Sequence, residues 1–92
     1  MQELTVRETR TAGQWELVIT REEVDGKVIG YIVTASNDLL ITTLNTFGVG
    51  GRGMSASVAF ATALHYLRIV EEGIERTGEL PCYRPFNNRY YA

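Results

Sequence analysis

The chain has 92 residues, 45% of them apolar and 22% charged, with a formal net charge of −2. That is enough chain for one modest hydrophobic core, in a composition unlike that of disordered segments. The mildly acidic balance argues against a protein that grips duplex nucleic acid with its whole surface. The single cysteine, Cys82, excludes an intramolecular disulfide framework, and no apolar run approaches the roughly 18 residues of a membrane span. The N-terminal MQELTVRETR is polar and has no signal-peptide core, so the expected compartment is cytoplasmic.

Residues 3–10 alternate, with Leu4 and Val6 on one side and Thr5, Arg7 and Thr9 on the other, the pattern of a half-buried strand. A turn at Gly13 follows. Trp15, Leu17 and Ile19 then alternate with Glu16, Val18 and Thr20 in a second strand. Asp25-Gly26 is a strong hairpin signal, because a type I′ turn needs positive φ at both central positions. Residues 27–36 (KVIGYIVTAS) are apolar on both faces and predict a central strand. Asn37-Asp38 makes the next tight turn, and residues 39–47 (LLITTLNTF) predict a fourth strand covered in part on both faces. Short turns between four strands imply an antiparallel meander.

The period then changes. Ala56, Ala59, Phe60, Ala63, Leu64, Leu67, Val70 and Ile74 recur at spacings of three and four, a helical stripe. His65, Arg68, Glu72 and Arg76 fall opposite, with Glu72–Arg76 as an i,i+4 pair. Ser55 or Ser57 is the expected N-cap, and Gly73 or Gly78 the end, before Pro81. The expected fold is therefore α+β. Within a single domain, 1–92, it comprises an antiparallel sheet (1–47), a glycine-rich loop (48–55), one long helix (56–77) and an irregular aromatic tail (78–92). The helix covers only part of one sheet face, and its first half is rich in small residues. Both features point to a homodimer.

Function is best sought where the charges are not. Between Leu39 and Val70, thirty-two positions, there is no carboxylate, and there is none after Leu80, where Arg84 and Arg89 stand among Tyr83, Phe86, Tyr90 and Tyr91. A helix N-terminus with glycines before it suits an anion, because unpaired N–H groups and the helix dipole meet it there and glycine lets it approach closely. Arg52 would add a bidentate clamp. Gly50, Gly51, Arg52, Gly53, Ser55, Arg84, Arg89 and Tyr90 are thus the candidate ligand-binding residues. The other reading of the glycines is a tightly turned hinge.

His65 is the sole histidine and Cys82 has no CxxC partner, so neither nucleates a metal site. No general acid and base pair is evident, and no catalytic residue is assigned. The leading expectation is a small binding, sequestering or inhibitory accessory protein without a cofactor. It would hold an anionic, nucleotide-like molecule or a protein partner. A purely structural interaction module is a further possibility.

Gly50-Gly51-Arg52-Gly53-Met54-Ser55, placed after an antiparallel meander and before a long helix, resembles the Q/R-x-x-G-x-G/A motif of GNAT-type N-acetyltransferases. The resemblance covers the last strand, the loop and the helix. Gly50 stands where Gln or Arg is usual, and Ser55 where Gly or Ala is usual. It implies, as the alternative, a minimal acetyltransferase with acetyl-CoA as cofactor.

Overall fold

The structure, a computed structural model, describes residues 1–50 and 53–80. Strands β1 (Gln2–Ala12), β2 (Trp15–Val24), β3 (Lys27–Ser36) and β4 (Ile41–Gly48) precede one helix, α1 (Ala56–Thr77). The sheet is antiparallel throughout, in the order β1-β2-β3-β4. This is the expected α+β meander and helix.

Local chemistry sets the corners. Asp25 and Gly26 take φ of 51° and 80°, the positive values a two-residue hairpin turn requires. At the β3–β4 turn the Asn37 side chain supplies the missing acceptor. Its Oδ1 accepts from the Leu39 N–H at 2.8 Å and from the Leu40 N–H at 3.0 Å. Ser55 caps α1, its Oγ accepting from the Val58 N–H at 3.3 Å. Gly78 ends the helix in the left-handed region (φ 76°) and donates its N–H to the Ile74 carbonyl at 2.7 Å.

The helix lies across one face of the sheet. Ala59, Ala63, Leu67, Val70 and Ile74 pack onto Leu17, Ile19, Tyr31, Val33, Ala35 and Phe47, all buried. Each large aliphatic or aromatic side chain in this set stabilises the fold by about 1.5–3 kcal/mol relative to exposure. Tyr66, not part of the expected stripe, belongs to the core. Its ring meets Phe47 edge-on at 5.7 Å, and its hydroxyl donates to the Leu44 carbonyl at 3.4 Å. Asn45 is the buried polar residue of the core, and its Oδ1 accepts from the Thr46 N–H at 2.8 Å.

Three bulges, at Arg7, Ile29 and Leu44, each insert one unpaired residue and switch which side chains meet the helix. The bulge at Arg7 corrects the expected orientation of β1. Arg10 and Ala12 share the helix side with Leu17 and Trp15, whereas Val6 and Leu4 pair with Thr20 and Glu22 on the opposite side. Leu4 and Val6 are accordingly 62% and 60% exposed. The bulge also lifts Arg7 over the helix, its guanidinium 5.7 Å from the Phe60 ring centre. β4 departs from expectation too. It is an edge strand covered on one face, and Ile41, Thr43 and Thr46 are exposed.

On the solvent side of α1, Glu72 pairs with Arg68 (Nε to Oε2, 3.8 Å), one turn earlier than the expected partner Arg76. Arg10 ties the first strand to the helix, with Nε donating to Glu8 at 2.7 Å and Nη1 to Glu71 at 3.1 Å. The Glu8 hydrogen bond, followed by the attraction of both carboxylates, raises the Arg10 pKa above its already high ordinary value. Among the described residues no helix is long and apolar enough to cross a membrane.

Candidate functional site

The glycine loop is tied to itself. The Gly50 N–H donates to the Met54 carbonyl at 3.1 Å, and the Gly53 N–H donates back to the Gly50 carbonyl at 2.7 Å. Val49 and Met54 form an isolated bridge, and the Val49 N–H reaches the Ile29 carbonyl at 3.0 Å, which fastens the loop to the sheet. Gly50 has φ of 97°, with open space where a Cβ would stand. Gly53 is crowded instead, since a Cβ there would lie 2.9 Å from the Gly50 oxygen and 3.2 Å from that of Gly48. Both glycines therefore have conformational reasons to be glycine.

The amides of Gly50 and Gly53 are spent within the loop. The first turn of α1 keeps the N–H groups of Ala56 and Ser57, which have no acceptor inside a helix. That turn carries no acidic residue. Ser55 stands at its start as the cap, while Ser57 Oγ lies 3.4 Å from Ser55 Oγ. Gly51 and Arg52, and the tail residues Arg84, Arg89 and Tyr90, lie outside the described residues, as does Cys82. The loop precedes the first turn of α1 and the tail follows its last. Those attachment points are separated by 22 residues of helix, about 33 Å. His65 is exposed on the solvent side of α1. Among the described residues no group of three or more His, Cys, Asp and Glu side chains is arranged to hold a metal ion.

Two further surfaces stand out. The first is the sheet face away from the helix. Its centre is a checkerboard in which Val18 lies beside Thr34 and Thr20 beside Ile32, all partly exposed. Val6, Thr9, Ile41, Thr43 and Thr46 surround that centre. Among the described residues the charges on this face are Glu16 and Glu22 on the interior strand β2 and Lys27, which pairs with Val24 at the start of β3, all away from its centre, and Gln2 hydrogen-bonds to Glu22. A solvated strand face normally alternates in the opposite sense, with polar and charged residues outward.

The second surface is the end of the sheet at the β1–β2 and β3–β4 turns. There Leu39, Leu40 and Ile41 form three consecutive exposed apolar residues, Leu39 at 91% and Ile41 at 77%. Beside them a cleft of about 370 Å³ opens between Gly13-Gln14 and Asn37-Asp38, walled by Trp15 and Glu16.

Set against protein-family models, curated proteins and solved structures, the chain finds no match.

Proposed function

We propose that the protein acts by binding, as a self-associating module whose two copies meet through the uncovered sheet face. The observation that carries this reading is the uncharged centre of that face, where Val18 and Ile32 lie, with Glu16, Glu22 and Lys27 placed toward the two ends of the strands. Apolar surface of this extent is ordinarily covered by a partner. Four strands spaced about 4.8 Å apart and eight or more residues long span roughly 500 Å² in projection, and more once side-chain relief is counted. That approaches the roughly 800 Å² each partner contributes to a standard interface. A second copy is the occupant best suited, because a two-fold axis can set the aliphatic centre on its own image while Glu16 and Glu22 stay at the rim. Sedimentation equilibrium tests it. Wild-type protein should weigh twice the chain mass, and Ile32→Lys should weigh one chain with an unchanged far-UV spectrum. Wild-type protein that remains a monomer at every concentration contradicts the reading.

A second reading keeps an anionic ligand, nucleotide-like in chemistry, at the start of α1. It is favoured by the acid-free first turn and by the absence of carboxylates from Leu39 to Val70. Thermal shift against sulfate, mono- and cyclic nucleotides and acetyl-CoA separates the possibilities. A ligand at a hundredfold excess over Kd stabilises by about 2.7 kcal/mol. Stabilisation by acetyl-CoA alone would turn the argument toward an acetyltransferase, and no shift with any anion removes the ligand reading.

A further inference from the structure

The charges around the open sheet face are unevenly placed. Lys27 and Glu22 stand toward one end, Lys27 across from Val24 and Glu22 across from Gly30, while Glu16 stands toward the other end, across from Ser36. Lys27 is exposed and takes part in no ion pair among the described residues. Glu22 is half-buried and accepts from the Gln2 amide, and no cation pairs with it among the described residues. One cation and two carboxylates on this face are therefore open to a partner.

Two copies stacked with their strands aligned are related by a two-fold axis that runs either along the strands or across them. The aliphatic centre does not choose between these. With the axis through the middle of the block formed by Val18, Thr34, Thr20 and Ile32, either arrangement sets Val18 and Ile32 over threonines of the second copy. The charges do choose. An axis across the strands turns Glu22 of one copy onto Glu16 of the other, because both lie three residues from the level of Ile19. Two pairs of carboxylates then face each other, and each Lys27 lies past them. An axis along the strands exchanges β2 with β3 and keeps like ends together. Each Lys27 then lies over the second copy's β2 at the level of Val24, about 7 Å along the strand from Glu22 and within reach of the two side chains. Only Glu16 meets its own image, at an exposed position where the carboxylate stays in water. Opposed like charges select against an arrangement, and opposed unlike charges select for one. We propose that the copies associate about an axis parallel to the strands, with Lys27 of each against Glu22 of the other. The proposal rests on self-association through this face and adds the orientation of the partner.

Sedimentation equilibrium at low salt, with far-UV spectra to verify folding, reads the orientation from the sign of the charge effects. Glu22→Lys should raise the dimer Kd about tenfold, since two attractions per dimer become repulsions, and Lys27→Glu should do the same. The chain that carries both changes should return to the wild-type Kd. Glu22→Lys that tightens the dimer overturns the proposal, because the reversed charge would then face Glu16 about a crosswise axis. Unchanged association of both single variants overturns it too, as does a double variant that fails to recover. In each of those cases wild-type protein still weighs two chains, and self-association stands. A wild-type monomer instead removes self-association itself, and this arrangement with it.

Discussion

The Gly53 N–H donates to the Gly50 carbonyl at 2.7 Å, and a Cβ on Gly53 would lie 2.9 Å from that same oxygen. The contact that closes the loop therefore requires the glycine. Gly53→Ala should cost about 1–3 kcal/mol, because backbone must move. Gly50→Ala should cost roughly 1 kcal/mol or more through its positive φ alone. Urea denaturation without any ligand reads both. Loss of ligand binding with unchanged stability would instead assign these glycines to a phosphate cradle.

Ser55 and Ser57 are separated by the same measurement. Ser55→Ala removes the acceptor of the Val58 N–H and should destabilise by about 1 kcal/mol. Ser57→Ala, exposed and inside the first turn, should be nearly neutral. Equal losses would mean that the cap is shared.

The two faces of β2 should respond oppositely. Ile19, wholly buried beneath α1, should lose about 2–5 kcal/mol on change to alanine. Val18→Ala should cost far less in dilute monomer, with its effect growing as protein concentration rises. A concentration-independent loss at Val18 would remove the partner from the account.

Arg10 bridges Glu8 and Glu71 while 39% exposed, so a double-mutant cycle between Arg10 and Glu71 should give no more than about 1 kcal/mol. Its folded pKa is raised above its already high ordinary value, chiefly by the hydrogen bond to Glu8. A raised pKa contributes stability that is fully present below the unfolded value and lost only as pH climbs through the folded one. The Arg10 contribution should therefore be flat from about pH 6 to 9, read as a constant difference in Tm between wild type and Arg10→Met. A difference that changes within that window would trace the contribution to another group.

Much of the fold was legible in the residues. Asp25-Gly26 announced its turn because few residues tolerate positive φ, and capping chemistry narrowed the helix ends to Ser55 or Ser57 and Gly73 or Gly78, of which Ser55 and Gly78 are the caps. The bulges at Arg7, Ile29 and Leu44 were not legible, since they arise from how neighbouring strands register. One skipped residue moved Leu4 and Val6 to the open face. Tyr66 stood outside the expected stripe, and its place in the core rests on partners distant in sequence, Phe47 and the Leu44 carbonyl twenty-two residues earlier. Of the candidate site, the sequence disclosed the helix start and the acid-free stretch. It could not disclose that the Gly50 N–H is taken by the Met54 carbonyl and the Gly53 N–H by the Gly50 carbonyl. Nor could it disclose the cleft, which exists only where two distant turns meet around Trp15.

Self-association through the open face is tested most directly by distances between copies. Nitroxide labels would be placed singly at Thr9→Cys, Thr46→Cys and Arg68→Cys, each with Cys82→Ser. Thr9 and Thr46 are exposed on the open face, whereas Arg68 lies on the solvent side of the helix. Sheets packed face to face lie about 10 Å apart, with the helices outside. Labels at Thr9 and Thr46 should therefore show short intercopy distances by pulsed dipolar spectroscopy, and labels at Arg68 the longest. No coupling at Thr9 and Thr46, or the shortest distance at Arg68, would contradict the account.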